Sequence, residues 1–105
     1  MHSEQQIRMN FENALKRAQE IEDIGNKLLS VGEDKTDQCM LGLQQGWSGY
    51  AYDSMKAKAE QVQSETIELA KKIKKAANTI RKIAKAVYDV EMDNYRLAME
   101  REKQN

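Results

Sequence analysis

Apolar residues in the first part of the chain recur at helical spacing. Ile7, Phe11, Ala14, Ala18 and Ile21 follow one another at steps of three or four residues. Such spacing is typical of one apolar stripe along an amphipathic helix. It predicts a first helix over about residues 4–45, with a kink or short interruption near residues 31–36 where Gly32 precedes a polar stretch.

The second half of the chain carries a longer stripe of the same kind. From Met55 to Leu97 the residues of this stripe follow one another at steps of three or four without interruption. This spacing predicts a second helix over about residues 50–100. Small residues flank this stripe: Ala70, Ala77 and Ala84. Charged flanks are usual in a two-stranded coiled coil, whereas small flanks let further helices approach closely. The pattern therefore favours a bundle.

A turn is predicted between the two helices at residues 46–49. All five glycines lie between Gly25 and Gly49, and the chain has no proline. Gly46 can end the first helix in the left-handed conformation, and Ser48 can cap the second. Asp53 then falls in the first turn or so, where a negative charge suits the helix dipole.

These elements predict one all-α domain over residues 1–105, a helix-turn-helix hairpin. A thin helical object leaves an apolar face uncovered, so self-association is expected. The residues expected to form the assembly seam are Ile7, Phe11, Ile21, Leu28, Val62, Leu69, Ile73, Ile80, Ile83 and Val87.

The charge is balanced overall but not along the chain. Seventeen basic and 17 acidic residues argue against a surface built wholly for nucleic acid. Residues 1–52 hold five Lys/Arg and eight Asp/Glu, a net of −3, and residues 53–105 hold twelve and nine, a net of +3. We expect the antiparallel fold to bring these opposed halves together.

Residues 71–85 hold seven Lys/Arg and no acid. Such a stretch can bind an anionic membrane or nucleic acid. We favour a solvated face partly neutralised by Glu20, Glu22 and Asp23, because the apolar side of this stretch lacks bulky Trp, Phe or Leu. We expect no nucleic-acid partner and no membrane binding. The alternative left open is an intracellular coiled-coil module that binds a partner helix or an anionic surface through residues 71–85.

The sequence contains no recognisable group of catalytic residues. It has no nucleophile paired with a histidine and no Gly-rich phosphate loop, so we expect no enzyme and no catalytic, cofactor or metal site. Cys39 is the single cysteine and is interpreted as a small hydrophobe on a helix, while His2 falls in a tail expected to be disordered. There is no run of 18 apolar residues, and residues 1–6 lack the apolar stretch of a cleaved signal peptide.

The segment Gly46-Trp47-Ser48-Gly49-Tyr50-Ala51-Tyr52-Asp53-Ser54-Met55 resembles the central segment of the WXG-motif proteins. These are the small early-secreted-antigen-like substrates of bacterial type VII secretion. The resemblance spans roughly residues 4–95 and implies an antiparallel dimer that forms a four-helix bundle. It also implies a non-catalytic protein, secreted without a cleaved signal peptide and cytoplasmic before export, that acts as exported substrate or as adaptor or chaperone of a larger effector.

The same resemblance implies partners and an export signal. The partners would be a second copy or another WXG-type protein, a secretion ATPase, and a toxin effector. The family's signal is Tyr-x-x-x-Asp/Glu after the second helix, but the residue four after Tyr88 is Met92. Tyr88 and Glu91 share a helix face and are the best candidates for a degenerate signal. Trp47 has two open interpretations, a recognition residue at a groove or a plug at the end of the bundle.

Overall fold

A computed structural model describes residues 2–46 and 49–104 of the chain. Helix α1 spans Glu4–Ser30, a π-helical turn spans Val31–Lys35, helix α2 spans Thr36–Gly46, and helix α3 spans Gly49–Gln104. From Glu4 onward every residue in these described ranges is helical, which confirms the all-α prediction.

Ser3 and Gln6 begin helix α1 with a reciprocal cap. The Gln6 backbone N–H donates to Ser3 Oγ at 3.2 Å, and the Ser3 N–H donates to Gln6 Oε1 at 3.1 Å. This exchange is the capping box, in which two unpaired donors of the first turn are satisfied at once. Glu4 in the first turn and Lys27 in the last also suit the helix dipole.

The interruption predicted near residues 31–36 is a π-helical turn. Thr36 donates both its backbone N–H and its hydroxyl to the carbonyl oxygen of Val31, the hydroxyl at 2.9 Å. Gln63 Nε2 donates to the Gly32 carbonyl at 2.7 Å and to Asp37 Oδ1 at 2.9 Å. A side chain from α3 therefore bonds the backbone at this widened turn, and the turn continues into α2 without a new N-cap.

The chain divides into two compact units. The terminal unit joins residues 1–20 to residues 76–105, and the central unit holds residues 21–75. In the terminal unit the start of α1 runs antiparallel to the end of α3, since Gln19 accepts a hydrogen bond from Arg81 while His2 lies beside Glu91. Its buried apolar residues are Ile7, Ala18, Ala77 and Met92.

The central unit is packed at two glycines. A Cβ on Gly25 would lie 3.3 Å from the Ala70 carbonyl oxygen, and a Cβ on Gly32 would lie 2.9 Å from Ile67 Cγ1. Both glycines and Ala70 are buried. The absence of a side chain at these two positions therefore allows the helices of this unit to approach closely.

Candidate functional site

The structure describes three of the five predicted turn residues, while Trp47 and Ser48 lie outside the described ranges. Gly46 is the last residue of α2, and Gly49 is the first of α3 with φ at +75°. The prediction that Gly46 takes the left-handed conformation is therefore wrong, because the left-handed residue is Gly49. Both glycines permit this conformation, and the spacing alone did not separate them. Asp53 is exposed on α3, beyond a first turn that carries no acid.

Tyr88, one half of the candidate export signal, is packed inside the terminal unit. Its ring centroid lies 4.7 Å from that of Phe11 with 30° between the ring planes. Lys85 Nζ lies 5.5 Å from the Tyr88 centroid, within cation–π range, and 2.6 Å from Asp89 Oδ1. The aromatic contact joins α1 to α3 and holds the tyrosine half-buried.

Glu91, the other half, lies one turn further along α3 and is also half-buried. Its Oε2 lies 3.1 Å from His2 Nδ1, so the carboxylate accepts from the imidazole N–H. From the sequence we expected His2 to lie in a disordered tail. The structure instead places it against Glu91, a contact between residues 89 positions apart that no local pattern reveals.

These residues border an open cleft of about 190 Å³ in the terminal unit. Most of its lining is apolar, with Asn10 and Glu91 as polar members. The lining residues are Ile7, Asn10, Phe11, Ala14, Ala84, Val87, Tyr88 and Glu91. The candidate signal therefore lies at the edge of an apolar cleft between α1 and α3.

Next to this cleft, α3 carries a stripe of aliphatic residues that the terminal unit leaves in solvent. Ile83 is 58% exposed, Val87 49%, Val90 59% and Leu97 51%. Residues at these spacings share one side of an α-helix. A soluble helix normally buries such a stripe against a neighbour, so this surface is a candidate binding site.

The other predicted seam residues divide between buried and exposed positions. Ile7 is buried in the terminal unit, where Phe11 and Ile80 are half-buried. In the central unit Ile21, Leu28 and Ile73 are half-buried, whereas Val62 and Leu69 are exposed. The residues of the predicted assembly seam therefore do not form a single buried face within the chain.

We expected partner helices to pack against the small residues that flank the stripe. In the structure α1 of the same chain packs there instead. Ala77 in the terminal unit and Ala70 in the central unit are fully buried within the single chain. The Ala70 carbonyl lies close to Gly25 of α1. Alanine and glycine allow backbones to approach closely, and α1 uses that approach while the larger aliphatic residues remain uncovered.

Several charged side chains of the basic run and of the acidic first half form salt bridges within their own helix. Lys72 pairs with Glu68 at 3.6 Å, and Glu20 pairs with Arg17 at 3.1 Å. These side chains are mostly exposed, and such pairs contribute only about 0–1 kcal/mol. Neutralisation of the basic run is therefore partly local to α3.

A second open cleft lies in the central unit beside the π-helical turn. It is lined by Val31, Lys35, Thr36, Cys39, Met40, Leu43, Met55 and Ala59. Cys39 is a free thiol on the exposed side of α2. The pattern of the sequence did not predict this cleft, because its lining combines residues of the π-helical turn and α2 with Met55 and Ala59 of α3.

Across residues 2–46 and 49–104, no helix is apolar over a length that would cross a bilayer. The same described residues contain no group of three or more His, Cys, Asp or Glu side chains arranged to hold a metal ion. No protein family, curated protein or solved structure matches this chain.

Proposed function

We propose that this chain is a non-catalytic protein of a type VII secretion system, exported as a substrate or as the adaptor of a larger effector. The observation that carries the proposal is the uncovered aliphatic stripe Ile83, Val87, Val90 and Leu97. An apolar stripe at helical spacing that its own fold leaves exposed suits a protein that works bound to another helix. The Trp47-x-Gly49 turn motif and the two amphipathic stripes support the choice of family.

In this proposal the chain pairs with a second copy or with another WXG-type protein and forms a four-helix bundle. Tyr88 and Glu91 serve as the export signal at the edge of the paired helices. Their neighbouring positions on one side of α3 and their place at the rim of the terminal-unit cleft support this role. A secretion ATPase would read them together with the turn.

An export assay tests the proposal. An epitope-tagged chain is expressed in a bacterial host that carries a type VII system, and in a matched strain that lacks the system's ATPase. We expect the protein in the culture medium of the first strain only, with a cytoplasmic marker retained in the cells of both. Equal amounts in the two media would contradict the proposal.

Two substitutions test the signal separately from the fold. Tyr88→Phe keeps the ring contact with Phe11, and Glu91→Gln keeps the size of the side chain. Asp89→Asn is the matched control, since Asp89 is an exposed acid on the same turn of α3. We expect Glu91→Gln to reduce export while Asp89→Asn leaves it unchanged; equal export of both variants would remove Glu91 from the signal.

A further inference from the structure

The cleft of the terminal unit is apolar over most of its length and carries a charge at one end. Its lining runs from Ile7 to Ala14 on α1 and from Glu91 back to Ala84 on α3. Each of these stretches advances by seven residues, which is about 10 Å of helix. The two alanines leave room at one end because their side chains are small. Glu91 lies at the other end, and it is the one lining residue described that is charged at neutral pH.

The size of the cleft limits what it can hold. Its volume of about 190 Å³ is small, since sites that enclose a drug-sized ligand or a cofactor occupy roughly 300–1,000 Å³. The stacked rings of Phe11 and Tyr88 form part of the wall, and aromatic rings pack well against further apolar groups. The cleft therefore fits one large apolar side chain rather than a whole cofactor.

Glu91 determines the charge that an occupant must carry. Its side chain is only 31% exposed, so the carboxylate is already partly removed from water. An apolar group in the cleft removes more of that water, and burial of a carboxylate without a partner is costly. The occupant must therefore bring its own N–H donor, and a cation is the strongest such donor. An anion or a plain hydrocarbon chain is disfavoured for the same reason.

His2 shows that Glu91 accepts a donor of this kind. Its Nδ1 lies 3.1 Å from Glu91 Oε2, although the two residues are 89 positions apart in the sequence. The His2 side chain is 55% exposed, and an ion pair with so exposed a group contributes little to stability. An incoming cation can therefore displace the imidazole, and His2 occupies the polar end of the cleft as a replaceable partner.

We propose that this cleft is a docking site for a protein segment that presents a lysine or arginine beside one large apolar side chain. The apolar side chain lies between Ala14 and Ala84, and the cation replaces His2 at Glu91. The proposal rests on the proposed function in so far as Glu91 belongs to the export signal, whose reader then carries this pair of side chains.

Two dipeptides test the site. Acetyl-Phe-Lys-amide carries both required groups, and the same dipeptide with an acetylated lysine Nζ is the neutral control, because acetylation removes the charge. Nuclear magnetic resonance titration of the isotope-labelled full chain measures both affinities. The charged dipeptide should bind at least about threefold more tightly, a difference of about 0.7 kcal/mol. Equal affinities, no binding, or amide shifts outside the cleft would overturn the proposal.

Two substitutions test the roles of Glu91 and His2. Glu91→Gln should bind both dipeptides equally, because the amide has no charge to pair. Asp93→Asn is the matched control and should keep the wild-type preference, since Asp93 is an exposed acid of α3 outside the cleft. His2→Ala should bind the charged dipeptide more tightly than the wild type does. A preference that survives Glu91→Gln, or an affinity that His2→Ala does not raise, would overturn the proposal.

Filling the cleft gives an independent readout. Ala14→Leu places a larger side chain at the apolar end and should weaken both dipeptides at least about tenfold, whereas Met9→Leu on the exposed side of α1 should not. Circular dichroism confirms that each variant is helical, and Ala84→Leu replaces Ala14→Leu if the latter is not. Undiminished binding would overturn the cleft as the site.

The export assay is separate from these titrations. A chain that is exported but binds neither dipeptide contradicts this site and leaves the proposed function standing. A chain that binds the charged dipeptide and is not exported contradicts the function and leaves the site standing.

Discussion

Phe11 and Tyr88 stack across the terminal unit with their ring centroids 4.7 Å apart. The pair joins α1 to α3 beside a cleft that also includes Glu91. A residue proposed for export thus also contributes to the fold, so export and stability must be measured together for any variant of Tyr88.

Phe11→Ala should destabilise the terminal unit. The substitution removes a half-buried ring and its aromatic contact, and we expect a loss of about 2 kcal/mol, below the roughly 3–5 kcal/mol of a fully buried phenylalanine. Urea denaturation followed by circular dichroism measures the change. Tyr88→Phe is the control and should unfold at nearly the wild-type urea concentration; equal stability of the Phe11→Ala protein would contradict the packing described here.

Gly32→Ala and Gly42→Ala should change stability in opposite directions. A Cβ at Gly32 would lie 2.9 Å from Ile67 Cγ1, so the Ile67 side chain must shift, and a cost on the order of 1–3 kcal/mol is expected. A Cβ at Gly42 meets nothing within 4 Å, and alanine should stabilise that helix by up to about 1 kcal/mol.

Thermal unfolding of the two variants against the wild type decides this prediction. A melting temperature that rises for both would show that α3 does not approach the π-helical turn closely at Gly32.

The sequence pattern predicted the helices better than it predicted which side of each helix is covered. Periodicity locates the stripe of Ile83 and Val87, since apolar residues at steps of three and four mark a face in any helix. It does not tell whether that face meets α1 or a partner. In the structure the larger residues remain exposed while Ala77 is fully buried, because a small side chain allows the closer helix contact.

The sequence pattern also could not predict contacts between residues that are distant in the sequence. Gln63 bonds the Gly32 carbonyl, and His2 reaches Glu91, only because the helices pack antiparallel in their own units. One local feature was present in the sequence and was missed. Ser3 and Gln6 have the spacing of a capping box, which is a sequence signal for the start of α1.

Trp47→Ala should abolish export under the proposed function. The melting temperature then separates the two interpretations of Trp47, since recognition predicts an unchanged value and a plug predicts a large drop. Leu41→Ala is the control, because Leu41 is an exposed apolar residue of the preceding helix. Export of the Trp47→Ala protein at the wild-type level would contradict both the motif assignment and the proposed function.

The basic run at residues 71–85 should not hold the folded protein on a membrane. Its lysines bond partly to acids of their own helix, as Lys72 does to Glu68, and it lacks the bulky apolar residues that insert between lipids. We expect the protein to stay in the bottom fraction when floated with phosphatidylglycerol vesicles at physiological salt. Clear flotation that is lost in a Lys71→Glu, Lys72→Glu variant would instead favour the anionic-surface module.

The proposed function depends on a second chain covering the stripe of Ile83, Val87, Val90 and Leu97. The most direct measurement is the mass of the purified wild-type protein by light scattering over a range of concentrations. We expect a species with the mass of two 12.1 kDa chains. A single 12.1 kDa chain at every concentration would contradict self-association through this surface.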